Sequence, residues 1–303
     1  LLALLIQSYE QTKFPPTPPD PIEAILFRMD QQRLAQKDLA PYIGSMSKVS
    51  EVLSRKRPLS LAMIRRLHAG LGIPADVLIG EGQELSIDST VDYTKFPLAE
   101  MQERGLFGPN KRPLQSLKEY AEELVTGFFR CASGLGGQPV MMRATLHQTG
   151  ARTMDEYAFK VWQACALRKA RAMALKGAYQ HGVITSEWIR NLTRLSTFES
   201  GPLLAQEYLS NHGIALVFER HFDKTYLDGA AMLDGEAPIV ALTLRHDRVD
   251  NFWFALLHEL IHVQRHLTSA DPCIADNLDD KTRTSDQELE ADREAGEALI
   301  PEG

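Results

Sequence analysis

The chain has 303 residues and a formal net charge of −7. At roughly 100–200 residues per domain, that length holds two or three domains. With 44% hydrophobic and 24% charged residues it can bury a core, which excludes wholesale disorder. Cys131, Cys165 and Cys273 are widely spaced and form no CxxC, which excludes a disulfide framework and points to a reducing, cytoplasmic compartment. No apolar run reaches the roughly 18 residues of a membrane span. Leu1 to Ile6 is short and lacks the basic flank of a signal peptide. The negative total argues against nucleic-acid binding, but the charge is uneven. Asp20 to Gly80 carries 9 Lys and Arg against 6 Asp and Glu, whereas Thr268 to Gly303 carries 3 against 11.

Leu1 to Lys13 reads as a short apolar helix, and the prolines between Phe14 and Pro21 make a stiff extended connection. Short helices are expected over Ile22–Gln32, Gln36–Ile43, Ser47–Leu53 and Ser60–Leu71, with Gly44 and Gly72 as stops and Pro74 opening a fifth. Residues 81–113 show no strong period and read as a linker. Leu114 to Cys131 is helical, and the glycines at 134–137 read as a loop, since no strand precedes them as a phosphate cradle requires. Asp155–His181 is expected to be one long helix with a solvated basic face, followed by helices over Thr185–Ser196 and Pro202–Asn211. Ala215–Phe218 is a strand candidate. Tyr226–Leu233 and Ala237–Leu244 read as a hairpin about Asp234-Gly235. Apolar helices over Asp250–His266 and Gln287–Ile300 complete the chain. The fold class is mainly α with a small β-hairpin or sheet, an α+β chain.

His258-Glu259-Leu260-Ile261-His262 is an HExxH motif. Two histidines four apart lie on one helix face, so both can reach one ion, and Glu259 lies beside them as a general base. The run Asn251 to Leu257 leads straight into the motif, so the helix is buried, and buried His-Glu-His without a metal is costly. Two imidazoles, a carboxylate and an open position suit Zn2+. His266 lies about 12 Å along the axis from His258 and cannot close the same site, leaving it a surface or supporting role. Glu288 is the preferred third ligand, with Glu290 as the alternative if the helix rolls differently. Asp292, four residues beyond Glu288, is either the hydrogen-bond partner of a ligand histidine or a solvated acid. Tyr226 and His221 are weak catalytic candidates, more simply packing residues.

Thr225 to Arg245, then Asp250-Asn251 into the HExxH helix, then Glu288-x-Glu290-Ala291-Asp292 and Ala298-Leu299-Ile300-Pro301, resemble the ImmA/IrrE family of zinc metallopeptidases over about residues 200–303. The resemblance implies His258 and His262 as zinc ligands, Glu259 as the catalytic glutamate and Glu288 as the third ligand, in a zincin-like domain. Ile261 departs from the family, which more often has a small residue before the second histidine.

Gln36 to Leu53 also fits a helix-turn-helix, with Leu39, Ala40, Ile43, Val49, Val52 and Leu53 packing two helices about Gly44. Gln36 then sits at a helix N-terminus where it can bond a phosphate. Ser45, Met46, Ser47, Lys48 and Ser50 lie where a recognition helix meets the major groove. Arg55, Lys56 and Arg57 add a phosphate-binding cluster. A plain helical bundle with exposed cations is the other reading. Residues 1–80 resemble HigA-type antitoxins of the XRE repressor class, through Pro-Asp-Pro-Ile-Glu-Ala-Ile at 19–25, Val-Ser-Glu-Val-Leu at 49–53, Arg57-Pro58-Leu59 and Leu71-Gly72-Ile73-Pro74. Arg55 stands where that class often has glycine. The resemblance implies a homodimer on double-stranded operator DNA, with a toxin as partner in many members.

The expected organisation is a helix-turn-helix domain over 1–80, a linker over 81–113, a helical middle over 114–200 and a metallopeptidase domain over 201–303. Together the parts imply a cytoplasmic DNA-binding regulator whose zinc endopeptidase cleaves a repressor: itself, a sibling or a partner. The linker is the natural scissile region for self-cleavage. The alternative is an antitoxin or repressor whose zinc domain is structural or sensing, and a third is a peptidase whose N-terminal bundle only dimerises.

Overall fold

The computed structural model describes residues 20–79, 91–109, 112–133, 154–246, 248–276 and 286–300. The segment Leu1 to Lys13 expected as a helix, the proline run to Pro19 and the glycines at 134–137 lie outside the described residues. The fold is mainly helical with one small mixed sheet. Two compact units are present: residues 1–94 with 109–125, and residues 95–108 with 126–303.

The first unit begins with α1 (Pro21–Gln32), capped by Asp20 Oδ1, which accepts from the Ile22 N–H at 2.9 Å. A 3-10 turn (Gln36–Leu39) runs into α2 (Ala40–Ile43). Gly44 follows at φ 121°, a conformation reserved for glycine, and a Cβ there would also press on the Lys48 side chain. Ser45 then caps α3 (Met46–Leu53), Ser60 caps α4 (Leu61–Leu71), and α5 (Ala75–Leu78) follows Pro74. Ile25, Leu39, Ile43, Val49, Val52, Ile64 and Leu67 form the shared core. Fully burying side chains of this kind contributes roughly 1.5–3 kcal/mol each. Arg55 adopts φ 61°, the left-handed backbone a glycine would take, and its guanidinium is held 2.5 Å from Asp20 Oδ2. The turn after α3 is thus kept without the glycine.

The 81–113 segment departs from a featureless linker. Residues 80–90 and 110–111 lie outside the described residues, but Leu98–Glu103 forms α6 in the second unit, with Phe96, Leu98 and Met101 buried. Arg104, just beyond it, donates to the carbonyls of Arg220 and His221 and stacks on Phe222, 3.7 Å from the ring centroid. The apolar spacing was too short to betray a helix whose stability comes from tertiary contact. Leu114 to Cys131 is two helices, α7 (Leu114–Glu119) and α8 (Ala121–Ser133), broken at Tyr120. Tyr120 is turned to donate its hydroxyl to the Pro58 carbonyl at 3.1 Å.

In the second unit, α9 (Glu156–Ala172) stops well short of His181. The cause is tertiary: the N–H groups of Lys176 and Gly177 are taken by the Ser210 carbonyl. Backbone passes so close to Gly177 that a Cβ there would sit 2.0 Å from the Asn211 oxygen. Helices α10 (Ser186–Thr193) and α11 (Gly201–Asn211) lead to β1 (Ala215–Phe218). Strands β2 (Gly229–Asp234) and β3 (Ala237–Leu242) form a hairpin about Gly235-Glu236, with Gly235 at φ 65°. The sheet order is β1-β3-β2-β4, with β1 parallel to β3 and the other pairs antiparallel. Strand β4 (Cys273–Asp276) was not legible in the sequence; its few residues become a strand by pairing with β2. The apolar helix α12 (Val249–Ile261) packs on the sheet, continues as a π-helical turn (His262–His266), and is followed by α13 (Asp286–Leu299). Leu216, Ala231, Val240, Leu256, Leu257, Leu260 and Ala291 share its core. No helix among the described residues is long and apolar enough to cross a membrane.

Candidate metal centre

The α12 sequence is apolar on every side, so it must be covered all round, and that cover carries its polar triplet inward. His258, Glu259 and His262 are each 0% exposed. Glu288 reaches them from α13 and is 2% exposed. It shares a helix face with Ala291 and Ala295, both completely buried, and these small side chains let the two helices approach closely.

His258 Nε2 and His262 Nε2 stand 3.0 Å apart. Glu288 closes the group, with Oε2 3.5 Å from His258 Nε2 and Oε1 3.6 Å from His262 Nε2. These three residues form a buried group that could hold a metal ion. Asp292, one turn further along α13, sets Oδ1 3.0 Å from His258 Nδ1. A carboxylate beside Nδ1 favours the tautomer in which Nδ1 carries the proton and Nε2 keeps its lone pair for the centre.

Glu259 is positioned by a feature the sequence reading missed. Strand β2 begins at Gly229, and a Cβ on that residue would lie 2.3 Å from Glu259 Oε1. The strand's entry is fixed by Thr243, whose Oγ1 donates to the Leu227 carbonyl at 2.8 Å and whose N–H donates to the Asp228 carbonyl at 2.9 Å. A glycine inside the predicted strand over Tyr226–Leu233 was the available signal, since it marks a close approach to the backbone.

The remaining candidates fall elsewhere. His266 reaches His262 rather than the Glu288 carboxylate, with Nδ1 3.0 Å from His262 Nδ1. Glu290, the alternative ligand, instead sets Oε2 3.2 Å from His266 Nε2. Burial lowers the His266 pKa, with the Glu290 hydrogen bond opposing, while that same bond lowers the Glu290 pKa. Tyr226 occupies left-handed backbone at φ 43° in the loop before β2. His221 is pushed below the usual imidazole range by burial and then by nearby arginines, Arg245 foremost. Neither belongs to the three-residue group.

In the first unit, Gln36 opens the 3-10 turn and is exposed, as are Ser45, Met46, Ser47, Ser50, Arg55 and Lys56. Ser45 Oγ accepts from the Lys48 N–H as the cap of α3. Several cations of this face have acidic partners. Lys48 Nζ and Arg57 Nη1 are each 3.0 Å from Glu119 Oε2, and Arg57 Nε is 2.6 Å from Glu51. Arg65 pairs with Glu122 in the same way.

Two adjacent helices thus present a buried His-His-Glu group that could hold a metal ion, beside a further buried glutamate. Comparison of the chain with protein-family models, with curated proteins and with solved structures finds no match.

Proposed function

We propose that this chain is a cytoplasmic, zinc-dependent endopeptidase joined to a helix-turn-helix regulator that binds double-stranded operator DNA as a homodimer. The observation that carries the enzymatic half is the convergence of His258, His262 and Glu288 beside Glu259. Two donors on a tetrahedral zinc with bonds of about 2.0–2.1 Å stand about 3.3–3.4 Å apart. The separations of 3.0, 3.5 and 3.6 Å bracket that value. A nitrogen–nitrogen–carboxylate donor set suits zinc better than the oxygen-seeking cations.

Zinc held there would supply a Lewis acid for a peptide carbonyl and lower the pKa of water. His258 and His262 hold Nε2 toward the ion, and Asp292 keeps His258 from turning. Glu259 accepts a proton from the attacking water and passes it to the leaving amine, in surroundings where burial excludes competing water. The substrate class this reading implies is a repressor polypeptide: a second copy of this chain, a sibling or a partner. Support for DNA binding comes from the Gly44 turn between α2 and α3, the Ser45 cap, and the exposed Ser47, Ser50 and Lys56.

A second reading is favoured by one specific observation. Glu259 is fully buried along with all three ligand candidates, and closed sites are the structural kind. In that reading the chain is a HigA-type antitoxin or repressor, with a toxin as partner, whose zinc domain is structural or sensing.

Elemental analysis of wild type and His262→Ala, with an intact-mass time course of wild type in zinc, tests both. Zinc in the wild type alone, with fragments appearing, supports the endopeptidase. Zinc without fragments, including after addition of a candidate repressor, supports the second reading. No zinc in either protein overturns both.

A further inference from the structure

We infer that His266 and Glu290 are positioning residues for the metal centre, forming a relay that locks His262 as Asp292 locks His258. The inference rests on the metal-binding reading above and assigns a role to two residues outside the ligand set.

The backbone provides the first observation. The α-helix gives way at His262 to a π-helical turn, and the Leu267 N–H donates to the His262 carbonyl, five residues back, at 2.9 Å. In an α-helix, residues four apart are offset by about 40° around the axis. Within this turn the rings of His262 and His266 stand 4.9 Å apart between centroids, against 4.7 Å for His258 and His262 on the preceding α-helix. Single π turns of this kind collect at functional sites, because the lost backbone regularity must be offset by something local.

Hydrogen bonding provides the second. His262 Nδ1 faces His266 Nδ1 at 3.0 Å, and His266 Nε2 faces Glu290 Oε2 at 3.2 Å. One assignment of protons satisfies every partner. His262 Nδ1–H donates to His266 Nδ1, and His266 Nε2–H donates to the Glu290 carboxylate. His262 Nε2 is then left with its lone pair directed to the same point as His258 Nε2. Each ligand histidine thereby has its second nitrogen engaged, one directly by a carboxylate and one through an intervening imidazole. Partners of this sort orient a ligand and raise its basicity, and their loss typically costs about 10–100-fold in metal affinity.

The neighbouring Arg265–Glu294 pair, 2.9 Å apart, ties the same two helices without touching His266, and Arg265 reaches Glu290 only at 3.7 Å. It therefore serves as the control. Zinc affinity is read by chelator competition, and ligand geometry by the visible spectrum of the cobalt-loaded protein. The apo melting temperature reports folding. His266→Ala is expected to lower zinc affinity about 10–100-fold and to shift the cobalt spectrum. Glu290→Gln, at a half-exposed position, is expected to lower it about tenfold without changing the apo melting temperature. His266→Gln, which keeps an acceptor oxygen for His262, should recover part of the loss. Glu294→Gln should match wild type.

Wild-type binding and spectrum in both His266→Ala and Glu290→Gln would overturn the relay and leave the metal reading intact. So would an equal loss in Glu294→Gln, which would make the link an ordinary helix–helix tie. Failure of the wild type itself to bind zinc would overturn the metal reading, and the relay with it. Should His266→Ala fail to fold, Glu290→Gln decides alone.

Discussion

At the candidate metal centre, two imidazoles and two carboxylates are withdrawn from water onto adjacent helices, and His258, Glu259 and His262 are wholly buried. On the α3 face of the first unit, Lys48 and Arg57 keep 36% and 24% of their side chains exposed and share one partner, Glu119. The two regions hold polar groups under different constraints. Burying ionisable groups costs several kcal/mol unless partners or an ion compensate, so a buried constellation calls for a function. Glu119 keeps only 10% of its side chain exposed, so moving Lys48 and Arg57 onto a phosphate would leave a part-buried carboxylate short of partners. The first region therefore stands out as a candidate site by its geometry, whereas the second must be diagnosed by competition.

The largest effect should fall on Glu259. Glu259→Gln is expected to retain stoichiometric zinc while cleavage falls about 10²–10⁴-fold, the contribution of a positioned general base. Fragment formation at the wild-type rate, measured by intact mass, would remove Glu259 from the chemistry. His262→Ala should abolish stoichiometric zinc, since it removes one of the three donors grouped among the described residues. Persistent zinc by elemental analysis would move the site elsewhere.

Gly229→Ala sharpens the same side of the comparison. Its Cβ would lie 2.3 Å from Glu259 Oε1, so either β2 or Glu259 must shift. We expect a loss of about 1–3 kcal/mol in chemical denaturation, with zinc content retained. A neutral result would show that β2 does not constrain Glu259.

The smallest effects belong to the α3 face. Glu119→Gln should strengthen binding to operator DNA and steepen its salt dependence by about one released ion, because Lys48 becomes available to a phosphate while Arg57 keeps Glu51. Lys48→Ala should weaken binding and lower the salt slope by about one. Titrations at several salt concentrations check both. Unchanged affinity in the two variants would favour a bundle whose cations serve only the fold.

Much of the chain was legible because its signals are local. Asp20, Ser45 and Ser60 cap helices that begin where their side chains can accept a backbone N–H, and Gly44 and Gly72 end others with positive φ. The pairing of His258 with His262 is equally local, since four residues span one turn of helix. What the sequence could not determine depends on partners distant along the chain. Strand β4 exists because β2 presents an edge to it, and beyond the end of α9 the Ser210 carbonyl captures the N–H groups of Lys176 and Gly177. Likewise, only the packing of α13 on α12 sends Glu288 to the ion site, Asp292 to His258 and Glu290 to His266. Helical spacing puts these three acids on one short segment. Which of them faces which histidine depends on the roll of one helix against the other, and the close approach at Ala291 and Ala295 settles that roll.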